Sequence, residues 1–293
     1  MTPSPVHIYS ASAPVAARID IGGRADIRVG ASDRSEVTVD IAPRDASRAL
    51  DVRAAESTAV TFQQGLLAVT LKHWRRESLF RDGGAVIIAV DVPIGSTLDL
   101  YSGMGDLSAD GEFGDVALST GMGHVRVGTS AGLRIKTGTG DVVVERATGV
   151  WDIATDSGKI TARELEGSGR IKNGNGETVV NTIVGTLEIR ASNGDIILAH
   201  VDGDVTAKSA HGSIRVAEAA VGSLTATTTT GAIRVGVRPG TAAWLDLSSK
   251  QSHVRSRLAA ADAPADATDS MRVTARSGYG DILVHRSDED MPW

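Results

Sequence analysis

The chain has no cysteine, which removes disulfides, thiolate metal sites and cysteine nucleophiles at once. Aromatic residues make up only 3% of its 293 residues, so the core must be aliphatic. No apolar run approaches the roughly 18 residues of a membrane span. Positive charge is in deficit: the net charge of −6 argues against nucleic-acid binding, which needs a basic field. The segment Met1 to Ser10 has neither the basic nor the apolar region of a secretory signal. On this reading the protein stays in the cytoplasm. What remains is 41% apolar and 23% charged, a folded chain long enough for one large or two ordinary domains.

Glycine, by contrast, is abundant at 33 residues, and much of it recurs at a fixed interval. The phrase Tyr101-Ser-Gly103-Met-Gly105-Asp106-Leu107 returns as Ser119-Thr-Gly121-Met-Gly123-His124-Val125 and again around Gly140. Taking the second glycine as marker gives Gly105, Gly123, Gly140, Gly158, Gly176, Gly194, Gly212 and Gly231, at intervals of 18, 17, 18, 18, 18, 18 and 19 residues. A period held this long signals a repeat architecture.

Alignment on the marker shows two short strands per repeat. After the glycine, apolar residues stand two apart (Leu107 and Ala109, Val125 and Val127, Ile196 and Leu198), with a mixed residue between them. A second pair follows, as in Val116 and Leu118, Leu133 and Ile135, Trp151 and Ile153. This is the period of a strand with one buried face. Stacking such repeats predicts an all-β fold, a parallel β-solenoid whose inward columns form a continuous core. Two weaker copies, with Ser252 and Gly280 in the marker place, bring the expected count to about ten coils of about 18 residues. Stacked in chain order they predict a rod roughly 45–50 Å long at about 4.8 Å per coil.

Residues 98–293 are expected to form the solenoid, with an inserted loop at about 258–270, and residues 1–97 a β-rich cap continuous with it. Capping matters because an open solenoid end exposes unpaired strand edges. The last coil and the acidic tail would cover the other end. In the N-terminal third, Ile19-Asp-Ile21 and Ile27-Arg-Val29 read as strands joined by a turn at Gly22-Gly23, and 45–55 as the best helical stretch. His73-Trp74-Arg75-Arg76 interrupts the strands. Trp74, Arg75 and Arg76 are candidate contacts for an anionic ligand through charge and stacking, with a solvated hairpin loop as the alternative.

The marker glycines, Gly280 included, are expected to take positive φ. Asn173 and Asn193 near the same corner fit that expectation, since asparagine tolerates the left-handed region. The residue after each marker forms a column: Asp106, His124, Asp141, Lys159, Glu177, Asp195. A pure acid column would repel itself or bind calcium; with His124 and Lys159 interposed, a self-compensating turn is expected. The histidines show no metal-ligand spacing, no Gly-x-Ser-x-Gly elbow occurs, and Gly138-Thr-Gly140 leads into a strand, where a dinucleotide fingerprint needs a helix. Neither a metal, a cofactor nor a catalytic residue is expected.

The Ser/Thr-x-x-Gly-Asp-Ile/Val coils resemble the DUF4097 adhesin-like β-strand-repeat proteins of actinobacteria. So do the Asp33 to Pro43 segment, Val92-Pro-Ile-Gly-Ser-Thr97 and the closing Gly278-Tyr-Gly280-Asp281-Ile282. The likeness covers roughly residues 6 to 286. It implies a β-helical domain, adhesin-like by similarity, linked in some members to envelope stress responses, and it supplies no catalytic residues. The expected function is a non-catalytic binding or assembly scaffold for a protein or glycan partner, with self-association end to end as a variant. A regulatory partner in an envelope-stress response is the alternative, and a carbohydrate-active enzyme the third reading.

Overall fold

Each run of alternating residues becomes a strand with one side inward, and the glycine corners bend these strands into layers stacked in parallel register. The computed structural model describes residues 6–71, 83–258 and 269–288. They fall into two compact units, Met1–Ala147 and Thr148–Trp293, each a β-solenoid.

In the first unit the layers do not follow the chain. Ala16–Ser32 is one strand that runs through a whole layer. It pairs in parallel with Leu66–Leu71 and Ala85–Pro93 on one side, and with Thr97–Met104 and Leu107–Met122 on the other. Leu107–Met122 then pairs with Val125–Thr139, which pairs with Val142–Ala147. Gly22 and Gly23 therefore lie within a solenoid layer and do not close a hairpin. The N-terminal third contributes two layers of its own. The marker phrase does not reveal them, because Ala25 occupies the corner where later layers carry glycine.

The outermost of these layers is covered by antiparallel strands. Thr58–Gln63 pairs with Leu66–Leu71, Glu36–Pro43 with Ala85–Pro93, and His7–Ser10 with Glu36–Pro43. Tyr9 packs on Phe62 with ring centroids 5.1 Å apart. The short helix Ala49–Ser57 is anchored by the buried Asp51, whose carboxylate accepts the Asp45 and Ala85 amides at 3.1 and 3.0 Å. A buried charge persists only with such partners. The helix thus begins and ends later than the 45–55 stretch read from the sequence.

The second unit has a tucked arrangement of its own. Val150–Ser157, Ile160–Asn175, Thr178–Asn193, Ile196–His211 and Ile214–Thr230 stack in chain order. The next layer, however, is the last in sequence: Ser270–Tyr279 pairs with Ile214–Thr230, and Ile282–Arg286 with Ile233–Val237. The earlier segments Ala242–Ser249 and Val254–Ser256 lie outside it, paired with Ser270–Tyr279 and Ile282–Arg286. The expectation that the final coil closes this end is therefore corrected. The final coil is interior, and Ser287 donates its amide back to Val237 at 3.0 Å. Trp244 on the outer segment is 56% exposed.

The core is almost wholly aliphatic, as low aromatic content requires, with Phe113 and Trp151 the aromatic residues buried among those described. Trp151 is 1% exposed and faces Gly169 in register. A Cβ on Gly169 would lie 2.2 Å from the indole, so the missing side chain in one layer makes room for the large one in the next.

A buried polar column runs beside the apolar ones, three residues before each marker. Ser102, Thr120 and Thr137 are buried and donate to the carbonyls of Ala25, Gly105 and Gly123, the corners of the preceding layers. In the second unit Ser209, Thr228 and Ser277 do the same toward Gly194, Gly212 and Gly231. Ser249 donates to Gly280 at 3.2 Å. These bonds follow the order of the layers, not of the chain. Each satisfies a carbonyl that burial would otherwise leave costly.

Candidate functional site

The residue following each marker projects from the glycine corner at the surface. In the first unit these residues are tied one layer to the next by a single repeated bond. Asp26 Oδ1 accepts the Asp106 amide at 3.1 Å, Asp106 Oδ1 accepts the His124 amide at 2.8 Å, and His124 Nδ1 accepts the Asp141 amide at 3.1 Å. An amide at this corner points along the stack, and the preceding side chain supplies its acceptor. His124 Nδ1 also lies 3.6 Å from the Asp141 carboxylate.

Beside this column lies a shallow recess of about 400 Å³, lined by Arg28, Ser108, Arg126 and Val143 along with Asp106, His124 and Asp141. Arg28, Ser108 and Arg126 are register neighbours. Ser108 is turned onto Asp110 at 2.6 Å. The recess holds the acids, the imidazole and the hydroxyl from which a hydrolase site would be assembled, but each is already bonded within the fold. Asp106 and His124 accept amides, and Asp26 meets Arg44 at 3.4 Å. Glycoside hydrolysis uses a carboxyl pair set across a cleft, and this column runs along one corner instead.

The same column in the second unit combines amide bonds with ion pairs. Ser213 donates its amide to Asp195 Oδ1 at 2.8 Å, and His253 to Asp281 Oδ1 at 3.1 Å. Lys159 meets Glu177 at 2.7 Å. The sequence reading saw charge compensation here but missed the amide acceptors. Their signal was the residue type, since nearly every member of the column carries a lone pair.

The nine marker glycines have φ between 133° and 155°. A Cβ on Gly123 would stand 2.0 Å from the Gly105 carbonyl oxygen, so no side chain fits between the layers. Among the described residues the one non-glycine with positive φ is Gln64. This corrects the reading of Asn173 and Asn193: both keep ordinary backbones and act through their side chains, Asn193 by donating to Asn175 at 2.8 Å. A second glycine corner escaped the sequence reading altogether. Gly149, Gly167, Gly185, Gly203 and Gly222 also have positive φ, and their spacing of 18, 18, 18 and 19 residues was the available signal.

Trp74, Arg75 and Arg76 lie outside the described residues. Among those described, no group of three or more His, Asp or Glu side chains converges as a metal ion requires, and no helix is long and apolar enough to cross a membrane.

Known structures similar to this chain include a "putative adhesin" of Parabacteroides distasonis, 13% identical, TM-score 0.45, spanning 96% of this chain and 97% of that one. A "putative lipid binding protein" of the same organism is 11% identical, TM-score 0.40, spanning 97% of each. A "putative adhesin" of Parabacteroides merdae is 13% identical, TM-score 0.31, spanning 97% of this chain and 96% of that one. No curated protein matches. The family model Toastrack DUF4097 matches residues 16–292, and the chain belongs to that family.

Proposed function

We propose that the protein is a non-catalytic, adhesin-like scaffold that binds a protein or glycan partner through the regular outer faces of its layers. The observation that carries this reading is the bonding of the recess. Asp106 and His124, which would be its acid and base, serve as acceptors for the next layer's amides. A group held this way positions backbone and is poorly placed to shuttle protons, which requires reach to a substrate atom and an adapted pKa. Belonging to the Toastrack family and sharing no motif of acyl, phosphoryl or hydride transfer are consistent with it.

The test is to incubate the full chain with a panel of polysaccharides, measuring saturable binding and the appearance of new reducing ends in parallel. The scaffold reading predicts binding without turnover. Turnover that disappears in an Asp106→Asn, Asp141→Asn double variant would overturn it.

A further inference from the structure

We propose that Lys172, Arg190 and Lys208 form a docking row for an acidic polysaccharide on the outer face of the second unit; the inference names a partner class and rests on the scaffold reading above.

The three residues are exposed and directly opposite one another, Lys172 with Arg190 and Arg190 with Lys208. Parallel strands set them about 4.8 Å apart, and like charges facing across a ladder are destabilising. At several other places opposite signs meet between layers. Arg170 meets Asp152 at 2.6 Å, Lys159 meets Glu177 at 2.7 Å, and Arg18 meets Asp99 at 3.6 Å. In the Lys172 row the acid at hand is Glu188, which bonds Arg190 of its own strand at 2.6 Å. Among the described residues Lys172 and Lys208 make no ion pair. The Glu188 carboxyl is held below its ordinary range, first by the hydrogen bond from Arg190 and then by the charges of Arg190, Lys208 and Arg170. Its neighbourhood is thus electropositive in a chain whose net charge is −6.

The shape of the row selects among polyanions. It is a straight line with one cation per layer, beside a column of Arg170, Glu188 and Thr206 two residues back along the strands and one of Ser168, Thr186 and Asp204 four residues back. An extended sugar chain with a carboxylate on each residue matches such a line, and its hydroxyls find partners beside it. The outward positions of these three layers carry no aromatic residue, so the face offers neither a stacking platform for bases nor the apolar wedge of a membrane-surface element.

The experiment is calorimetric titration of the full chain with polygalacturonate at low and high salt, with dextran, phosphatidylglycerol-containing vesicles and duplex DNA as parallel probes. The row predicts saturable binding to polygalacturonate alone, weakened as salt screens it. A Lys172→Ser, Lys208→Ser variant should lose at least about tenfold in affinity and melt no lower than wild type, because two opposed charges are relieved. Absence of polygalacturonate binding, equal affinity of the variant, or binding to vesicles or DNA in place of the polymer would overturn the row. New reducing ends in the bound polymer would instead contradict the scaffold reading and leave the row standing.

Discussion

Asn173 stands opposite Ala191 in adjacent layers and makes the bond that Ala191 cannot. Every other described layer from Ser102 onward has a hydrogen-bonding residue at this place. Ala191 has none to offer to the Gly176 carbonyl, and Asn173 supplies it from the layer below. Its Nδ2 donates to Gly158 at 3.1 Å, as the column requires, and also to Gly176 at 3.0 Å. A buried carbonyl left without a donor costs about 1–3 kcal/mol. Asn173→Thr is therefore expected to destabilise the chain by about that much, and by clearly less when Ala191→Ser is also present. A double-mutant cycle in denaturant checks the coupling, and additive effects would break the assignment.

Substitutions at glycine should separate by corner. Gly140→Ala and Gly203→Ala both place a Cβ about 2.0 Å from a carbonyl of the preceding layer at positive φ. Each is expected to lower stability by about 3 kcal/mol or more, beyond the usual range for point changes. Gly23→Ala meets nothing within 4 Å and should change stability by less than about 0.5 kcal/mol. Melting curves of the three variants decide the matter.

At the marker column the acceptor matters more than the charge. Asp106→Asn keeps an oxygen for the His124 amide and is expected to melt near wild type. Asp106→Ala removes it and should cost about 1 kcal/mol, the net value of a typical hydrogen bond. If both variants lost equal stability, the charge of Asp106 would be the important property.

Acid sensitivity has a named source in Glu218. Partial burial pushes its carboxyl up, but hydrogen bonds from Arg238 and Ser287, with the Arg238 and His200 charges, outweigh that and bring it below its ordinary value of 4.5. The folded state then holds fewer protons than the unfolded state, so stability rises with pH through this window and is lost as pH falls through the folded value. Between about pH 5 and pH 3 the wild type should lose more stability than Glu218→Gln, measured by denaturant titration at each pH. Parallel slopes for the two proteins would remove Glu218 from the account.

The layers themselves were legible because period and alternation survive in almost every copy. Gly105 through Gly231 and the apolar pairs that follow them name the strand, the corner and the inward face without any long-range information. The order of the layers was not legible. Nothing in the residues of Ala16–Ser32 or Ser270–Tyr279 says that a terminal segment will insert one layer inward, since any layer presents the same pair of edges. The polar columns were visible as residue types and unreadable as bonds, because Asp106 and Thr120 look alike whether they face a ligand or the next amide. The Lys172 row was equally hidden until the register set its three cations face to face.

Hydrogen exchange tests the layer order most directly. Ser270–Tyr279 is paired on both sides, whereas among the described residues Ala242–Ser249 is paired with that strand alone. The account predicts that amides of 270–286 exchange far more slowly than those of 242–256, although they lie nearer the C-terminus, where fraying is ordinarily greatest. Slow exchange in 242–256 together with fast exchange in 270–286 would mean that the layers follow the chain, and would contradict the account.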